Sequence, residues 1–457
     1  MKDVIFDLAR NIVQTKLENI PQDAVHIAKM FVIDTLGVAL AGSTASGCAE
    51  VVKMIKEQGG RPDSSILIYG GKVPAQEAAF ANSMMIHGRD FDDTHEGGPG
   101  AHCNVSVLPA ALALAEKGGA SGKEFLVAVI VGIDFMSRLG NGAPLFHGWH
   151  FTTTLGAFGA VAAAGKILRL NEDQMVNAMG IVFSQAAGNR QGRADGALTK
   201  RMQPGFSSRA GIFSAFLAER GLTGAKNIIQ GPWGFYALYG DRTNQVPMEE
   251  TVKRLTDQLG KKYDVINLSA KPYPCCRLTH GAIEATLSLM KENKIQEKDV
   301  QGVAIQASPV IYDTVGHPFQ IRDNPQVDGQ FSIAYTVAVA LQRGKVTLED
   351  FEEKVVRQPY SSELAKRVAV QVDKTFNKQS TQVNVQMKSG KTLSKKIDYF
   401  KGHPLNPFTR EEFLDKFRNC ARFAAVPVSA ERVDKMLNVL QEVEKVKNVG
   451  EITQLFT

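Results

Sequence analysis

The sequence predicts a mainly α-helical protein in which a smaller region of mixed helices and strands follows a large helical region. Two observations lead to this prediction. From residue 1 to about 264, apolar residues recur at i, i+3, i+4 and i+7, the spacing of one helix face. After "INLSAKPYPCC", several segments instead alternate apolar and polar residues, with the period of a half-buried strand.

The helical elements of the first region are marked at their ends. "PQDAVHIAKMFVIDTLGVALAG" and "NEDQMVNAMGIVFSQAAG" are amphipathic and end at glycine. Ser121 and Glu124 have the spacing of a capping box in front of "FLVAVIVGIDFM". "TTTLGAFGAVAAAGKIL" is rich in Ala and Gly, which lets a second helix approach closely. The strand-like piece "SSILIYGGKV" predicts a small hairpin.

The second region mixes both periods. "DVQGVAIQAS" and "TQVNVQMKSGKTLSKKIDYF" are predicted strands, with "KSGK" as a turn between two of them. "THGAIEATLSLMKENK" and "FSIAYTVAVALQRG" are predicted helices. From "TREEFLDKFRNC" onward the pattern is helical again. This last segment can rejoin the first region, which would make the large domain discontinuous.

Composition excludes several classes of protein. The 457 residues are 44% apolar and 22% charged, an ordinary globular composition. The net charge of +6 is spread along the chain, which suits small anionic substrates, and no nucleic-acid-binding motif is present. The five cysteines lack C-x-x-C spacing, so we expect neither a disulfide framework nor a structural zinc site.

The chain also lacks the signals of a membrane or secreted protein. "MKDVIFDLARNIVQTKLENI" alternates charged and apolar residues and reads as a first helix, not a signal peptide. Apolar runs such as "FLVAVIVGIDFM" fall short of the roughly 20 residues that span a bilayer. We therefore expect a cytoplasmic protein without a membrane partner.

Histidines are concentrated in three short windows. Six of the nine fall there: His87, His95 and His102; His147 and His150; and His280. Imidazole has little use inside a core helix, so these windows are candidate sites.

The first window, "HGRDFDDTHEGGPGAH", adds Asp90, Asp92 and Asp93 after a helix that ends near Gly88. Carboxylates beside histidines can bind Mg²⁺ or Zn²⁺, but no ligand spacing of a known site is present, so no metal is predicted. The alternative is structural: one or two of these carboxylates cap the helix "VSVLPAALALAE" or pair with Arg89.

In the second window, "FHGWHFTTTLGAFG", His147 and His150 precede a helix whose first turn offers free N–H groups, a natural site for a carboxylate. The alternative is that Thr152 or Thr153 merely caps the helix. "DGALTKRMQPGFSSRAG" places Lys200 beside another basic residue, which is either an anion-binding feature or a solvated face.

"SAKPYPCCRLTHGAIEA" is the most constrained segment. Two prolines restrict its backbone, Lys271 and Arg277 offer cationic donors, and His280 stands at a helix start. The chain carries neither a dinucleotide-binding GxGxxG nor a GxxxxGK[ST] motif. Histidines, lysines and carboxylates without a cofactor motif suit proton transfer next to a substrate carboxylate, with cations holding the anion.

These segments together resemble a known family. "HGRDFDDTH", "GWHFTTTLGAFGAVAAAGKIL", "DGALTKRMQPGFSSRAG" and "KPYPCCRLTHGAIEA" resemble, in this order, the MmgE/PrpD family. That family includes 2-methylcitrate dehydratase, cis-aconitate decarboxylase and iminodisuccinate epimerase. The resemblance covers essentially the whole chain.

The resemblance implies a helical domain formed by residues 1–265 and 399–457, with an α+β lid domain at residues 266–398 inserted between them. It further implies a homodimer that acts on di- and tricarboxylic acids without a metal or organic cofactor. The pocket is expected between the two domains.

Site residues are carried over by position. The resemblance and the residue types together give two expected groups: Asp90, His102, His150, Lys200 and His280 as catalytic residues, and Thr94, Lys271, Gln203 and Arg277 as substrate-binding residues. Two departures touch the expected pocket. Many members have His-Pro-Ser where this chain has "HCNVS", and many have His three residues after the lysine, where this chain has Gln203.

The expected function is a cofactor-independent lyase that removes water from a citrate-like acid such as 2-methylcitrate, by proton abstraction next to a carboxylate. His102 or Asp90 is expected to move the proton. Decarboxylation of a cis-aconitate-like acid and epimerisation or isomerisation of a substituted succinate are alternatives. From other classes, a metal-dependent hydrolase using "DFDDTH" and a non-catalytic carboxylate-binding protein also remain open.

Overall fold

The computed structural model describes residues 2–457, and the described chain is mainly helical. The helices are α1 Ile5–Gln14, α2 Gln22–Gly42, α3 Cys48–Gln58, α4 Ala75–His87, α5 Asn104–Gly118, α6 Gly122–Gly142, α7 Phe151–Ile167, α8 Glu172–Phe183, α9 Gln191–Ala194, α10 Thr199–Glu219, α11 Phe235–Tyr239, α12 Met248–Thr256, α13 His280–Asn293, α14 Pro309–Val315, α15 Pro325–Gln330, α16 Ile333–Arg343, α17 Glu353–Val356, α18 Pro359–Ala365, α19 Arg410–Ala421, α20 Ala430–Gln441 and α21 Gly450–Leu455. The strands are β1 Ser64–Ser65, β2 Lys72–Val73, β3 Thr94–His95, β4 Leu268–Ser269, β5 Val300–Ala307, β6 Val368–Val372, β7 Thr381–Met387 and β8 Thr392–Ile397.

Two central helices, α2 and α6, are longer than their apolar runs suggested. Each has 21 residues and is long and apolar enough to cross a membrane, but 83% and 94% of their most apolar windows are buried inside the protein. Their apolar character is therefore explained by their place in the protein core. Helix α6 begins with the predicted capping box, in which Ser121 and Glu124 bond each other's backbone N–H groups.

The largest apolar core draws on both ends of the chain. It joins side chains between Val4 and Ala270 with others between Phe413 and Phe456. Helix α19 packs on α2, where the rings of Phe31 and Phe413 lie 5.5 Å apart, centre to centre. The last helical segment thus packs against the first region, as its pattern allowed.

A four-stranded sheet lies in the second region, in the order β6-β5-β7-β8. Strand β5 runs parallel to β6 and antiparallel to β7, and β7 and β8 form a hairpin. Helices α13 and α16 pack together beside this sheet around a separate apolar cluster. The predicted strands and the "KSGK" turn are confirmed, as is the small hairpin of β1 and β2.

One short pairing brings distant parts of the chain together. Strands β3 and β4 are antiparallel partners, with Thr94 opposite Ser269. The loop after α4 therefore lies beside the segment that begins the second region. This pairing places Asp90 within reach of Lys271, 181 residues further along the chain.

Candidate active site

A cavity of about 240 Å³ opens where the loop after α4, the start of α7, the start of α10 and the segment before α13 meet. Seven of the nine expected site residues line it: Asp90, Thr94, His102, His150, Lys200, Lys271 and Arg277. The other two, Gln203 and His280, lie outside the lining. Most residues singled out by sequence thus converge on one cavity.

Asp90 lies at the centre of a buried charge cluster. The helix before it ends at His87, and Asp90 adopts a left-handed backbone with φ of 51°, which aspartate tolerates better than most residues. One carboxylate oxygen accepts a hydrogen bond from Lys200 Nζ at 2.6 Å, and the other from Lys271 Nζ at 2.9 Å. Lys271 also donates to the Asp90 carbonyl oxygen at 2.8 Å, which holds this conformation.

These contacts set the charge state of Asp90. Burial raises its pKa, but the ammonium groups of Lys200 and Lys271 outweigh burial and hold the pKa well below its usual range. Burial alone would lower the pKa of Lys271, yet Asp90 and Asp92 raise it. Asp90 is therefore an ionised anchor for two lysines and a poor proton acceptor.

A second cluster joins two histidines through one carboxylate. Oδ2 of Asp92 lies 2.8 Å from Nδ1 of His87 and 3.0 Å from Nδ1 of His102. Burial raises the pKa of Asp92, but His102 and His87 lower it well below its usual range. Because Nδ1 of His102 faces this carboxylate, Nε2 is the nitrogen left for the cavity. An imidazole placed in this way can give or take a proton at Nε2.

His150 is held differently, by neutral groups. It is the residue immediately before α7, and neither Thr152 nor Thr153 caps that helix, contrary to the structural alternative. Its Nδ1 lies 3.1 Å from Oε1 of Gln203 and 3.0 Å from Oγ1 of Thr153. Burial, and then the neighbouring His87 and Lys200, lower the pKa of His150 well below its usual range, so the ring is neutral.

Gln203 was expected to bind substrate, but the structure places it behind His150. Its side chain is buried and contacts both the N–H and the carbonyl of Asn189, at 3.1 and 3.0 Å. Gln203 lies about one turn after Lys200 on the same side of α10, but its amide is bonded to Asn189 and His150, so it does not reach the cavity.

Asp93 has the structural role that the sequence left open. Its carboxylate accepts hydrogen bonds from the backbone N–H groups of Cys103 and Asn104, at the start of α5. Burial, and then the charge of Asp92, raise its pKa to about 6. Arg89 pairs with Glu352 instead of with any of the three aspartates.

Arg277 reaches the cavity already paired. Its Nη1 lies 2.9 Å from a carboxylate oxygen of Glu96, a residue that also bonds Ser269 and Gln379. The rest of the guanidinium faces the cavity beside Gly100. Oγ1 of Thr94 is buried and has no hydrogen-bond partner among the described residues, so it is available to a ligand.

His280 was expected to be catalytic, but the structure places it in the interior. It is fully buried, packed edge-on against Tyr273 and Phe400, and its Nε2 lies 3.3 Å from the carbonyl of Cys275. Burial and Lys271 lower its pKa well below the usual range. It starts α13 facing inward, so it supports the wall of the cavity from behind.

Several lining residues were not singled out by sequence. They include Trp149, Asn189, Arg190, Arg193, Cys276 and Phe331. His87 and Asp92, which belong to the first histidine window, lie behind the lining. Arg190 and Arg193 carry a usable signal, since "NRQGRADG" places two arginines among glycines just before Lys200. The others come from loops whose position depends on contacts distant in sequence.

The same histidine cluster has the side chains of a metal site. Ligand atoms of His87, Asp92 and His102 lie within 4.8 Å of one another. Both Nδ1 atoms, however, lie at hydrogen-bond distance from a single carboxylate oxygen. The described geometry is that of two imidazoles facing one carboxylate oxygen, with the hydrogen bond made by His87.

Comparison with known protein families decides where the chain belongs. Residues 6–246 match the MmgE/PrpD N-terminal domain, and residues 273–442 match the MmgE/PrpD C-terminal domain. The chain belongs to the MmgE/PrpD family. The resemblance seen in its sequence motifs is thereby confirmed.

Several named proteins are similar to this chain over most of their own length. A cis-aconitate decarboxylase-like protein, oryM, of Aspergillus oryzae is 27% identical over 100% of this chain and 97% of its own. Human cis-aconitate decarboxylase is 27% identical over 100% and 95%. The mitochondrial 2-methylcitrate dehydratase of Yarrowia lipolytica is 23% identical over 88% and 80%. These relatives are lyases, and this chain is an enzyme of that class.

Proposed function

We propose that the protein is a cofactor-independent lyase that acts on a small tricarboxylic acid, with decarboxylation of a cis-aconitate-like acid as its reaction. The observation that carries the proposal is the joining, in one cavity, of a cationic wall with two histidines in different hydrogen-bonding environments. The similarity to cis-aconitate decarboxylases over the full length of the chain supports this choice of reaction.

The charge of the cavity suits a polyanion. Five cationic side chains of the described chain line it, namely Arg190, Arg193, Lys200, Lys271 and Arg277, against one carboxylate, Asp90. Asp90 holds two of them, Lys200 and Lys271, in fixed positions, so little side-chain entropy remains to be lost when a substrate carboxylate binds. We place two substrate carboxylates on these lysines and arginines.

Decarboxylation needs a carboxylate that is not held by cations, because losing CO₂ removes negative charge from that group. His150 is neutral, and together with Trp149 it forms an uncharged part of the wall. We place the departing carboxylate there. The C–C bond breaks, its electron pair passes into the adjacent alkene, and a proton from Nε2 of His102 completes the product.

His102 is the proton donor in this scheme because of its carboxylate partner. The Asp92 carboxylate lies 3.0 Å from Nδ1 and so provides a negative partner for the protonated ring. Asp90, the other expected proton carrier, acts instead as the anchor of the lysines. Water restores the proton on His102 after each turnover.

Dehydration of a citrate-like acid is the second candidate, and the histidine pair favours it. Removing water requires a base that takes a proton from carbon and an acid that protonates the leaving hydroxyl. The neutral His150 can serve as the base and His102 as the acid. The similarity to 2-methylcitrate dehydratases, although lower, supports the same candidate.

Two architectural proposals accompany the reaction. We propose that residues 266–398 move as a lid over the cavity, since Lys271, Cys276 and Arg277 come from its start. We also propose a homodimer: α10 exposes Phe206 and Phe213 to 45% and 46%, seven residues apart on one helix face. Sedimentation velocity should report a species of twice the 49.7 kDa chain, and a monomer at micromolar concentration would contradict the dimer.

Proton NMR in D₂O distinguishes the candidates directly. Purified enzyme is incubated separately with cis-aconitate, citrate and 2-methylcitrate, and released CO₂ is measured in parallel. We expect cis-aconitate to lose CO₂ and to gain one deuterium on carbon. Formation of an alkene from 2-methylcitrate without CO₂ would instead establish dehydration. If none of the acids reacts or exchanges, the proposed function is wrong.

A matched pair of variants controls this assay. His102→Gln removes the proton donor inside the cavity, and we expect a loss of about 10²- to 10⁴-fold in kcat. His147→Gln changes another cavity histidine that is exposed at the rim, and we expect less than a threefold change in kcat. Equal losses in both would contradict the assignment of His102.

A further inference from the structure

We propose that Gln203 is a positioning residue that keeps the proton of neutral His150 on Nδ1, so that Nε2 presents a lone pair to the cavity. The resulting catalytic role of His150 rests on the proposed function, whereas the position of its proton rests on the hydrogen bonds described below.

The orientation of the Gln203 amide is fixed by the backbone of one residue. Its Nε2 donates to the carbonyl of Asn189 at 3.0 Å, and its Oε1 accepts from the N–H of the same residue at 3.1 Å. Rotating the amide by half a turn would bring two donors together and two acceptors together. The backbone therefore determines which end of the amide is oxygen.

The tautomer of His150 follows from that orientation. Oε1 of Gln203 also lies 3.1 Å from Nδ1 of His150, and an amide oxygen can only accept. Nδ1 must therefore carry the hydrogen. The hydroxyl of Thr153, at 3.0 Å from the same nitrogen, can rotate to accept and does not oppose this assignment.

The surrounding fold protects the arrangement. Gly188 has φ of +114°, and a side chain there would come within 2.8 Å of Oε1 of Gln203 and 2.7 Å of Thr153. The Gly188 carbonyl also accepts from the backbone N–H of His150 at 3.2 Å. The loop can thus approach both residues only because this position is glycine.

The position of this proton sets the direction of the hydrogen bond between Nε2 of His150 and a substrate. With its proton on Nδ1, neutral His150 can accept a proton or a hydrogen bond from substrate at Nε2 but cannot donate one. With the proton on Nε2 it would donate, which would hold a departing carboxylate in place. Gln203 thus decides whether neutral His150 accepts or donates a hydrogen bond at Nε2.

NMR of ¹⁵N-histidine-labelled protein tests this without substrate. The nine histidines give separate ring nitrogen signals, and a His150→Gln spectrum identifies those of residue 150. In the unmodified protein at pH 7 we expect a protonated Nδ1 and an unprotonated Nε2. A proton on Nε2, or on both nitrogens, would overturn the proposal whatever the enzyme's substrate is.

Two variants and a control complete the test. In Gln203→Leu, Thr153 is free to donate to Nδ1, so we expect the proton to move to Nε2 and kcat to fall about tenfold at nearly constant KM, the worth of one neutral hydrogen bond. Gln203→Glu keeps the acceptor and adds charge, so the tautomer is retained and the acid limb of the pH profile moves upward. Thr153→Val should leave the proton on Nδ1.

The outcomes separate this inference from the proposed function. An unchanged tautomer in Gln203→Leu overturns the positioning role even if the enzyme decarboxylates cis-aconitate. The expected tautomers in an enzyme that acts on none of the acids would support the positioning role and refute the proposed function.

Discussion

Replacing Asp92 by asparagine is the sharpest test of the histidine cluster. One oxygen of this fully buried carboxylate faces both His87 and His102, at 2.8 and 3.0 Å. An asparagine can accept from one ring with its oxygen, but its amino group must then face the other ring and favour the wrong tautomer there.

The magnitude follows from the bond that is lost. A hydrogen bond to a charged group contributes about 1.5 to 3 kcal/mol, which corresponds to about 10- to 150-fold in rate if it is lost in the transition state. We expect kcat of Asp92→Asn with its best acid to fall by that factor, with KM changed less than threefold. Steady-state kinetics at pH 7, together with urea unfolding to confirm that the variant is folded, measure both quantities.

The neighbouring residue supplies the control. Asp93 carries the same chemical group, but its oxygens accept from backbone N–H groups at the start of α5. Burial raises the pKa of Asp93 to about 6, so its charged form is less favoured than in water, and asparagine is itself a good cap. Asp93→Asn should cost about 1 kcal/mol of stability and leave kcat within threefold. The reasoning is refuted if Asp92→Asn retains more than a third of the activity, or if both variants lose kcat equally.

Further predictions concern stability, binding and metal content. Burial, only partly offset by Asp92, lowers the pKa of His87 from 6.5 to about 4, so the unfolded chain binds a proton that the folded chain does not. The free energy of unfolding should therefore fall by about 3 kcal/mol from this group between pH 6.5 and pH 4. In His87→Asn the amide Nδ2 keeps a donor near the position of the ring Nδ1 but does not titrate, so urea unfolding of this variant should depend less steeply on pH. Lys416→Met removes the ion-pair partner of buried Asp34, 2.8 Å away, and should lower the free energy of unfolding in urea by about 3 kcal/mol. Adding Asp34→Leu removes the unpaired charge and should recover part of that loss. Full stability of Lys416→Met alone would contradict the pairing. Lys271→Met should raise KM for a tricarboxylate at least tenfold, whereas an unchanged KM would exclude Lys271 from the binding wall. Elemental analysis should find no stoichiometric zinc, manganese or iron, and EDTA should leave activity unchanged, because His87 and His102 both face the Asp92 carboxylate. One metal ion per chain would favour the hydrolase alternative.

Local chemistry explains what the sequence could predict in the fold. The capping box at Ser121, the hairpin of β7 and β8 and the helix that begins at His280 all depend on residues close together in the chain. Strand β6 was not foreseen, because its pairing with β5 is parallel and joins segments more than 60 residues apart. Its sequence signal is correspondingly weak.

The sequence predicted most of the residues at the site, but it predicted their roles less well. Asp90, His102, His150, Lys200 and Lys271 were named from their segments, and all line the cavity. Their roles depend on partners: Asp90 is held by two lysines, so it cannot easily accept a proton.

The roles of His280 and Gln203 depended on which way each side chain faces. His280 lies on the interior side of α13, and Gln203 lies on the interior side of α10. Periodicity shows that a helix has an inner and an outer face, but a residue beside a cavity can belong to either. Some of the deciding contacts are distant in sequence: His150 lies 53 residues from Gln203, and Phe400 packs on His280 from the far end of the second region.

The sequence by itself determined the class of fold, the family and most of the residues that surround the cavity, because periodicity, caps and ordered motifs are local properties of the chain. Tertiary structure alone decided which aspartate anchors lysines, which orients histidines and which caps a helix, although all three stand within four positions of one another. The physical reason is that the role of a buried carboxylate is set by the donors that surround it. Donors reach Asp90 from α10 and from the segment before α13. His87 at the end of α4 and His102 face Asp92, and N–H groups at the start of α5 bond Asp93. Only the folded chain brings these groups together.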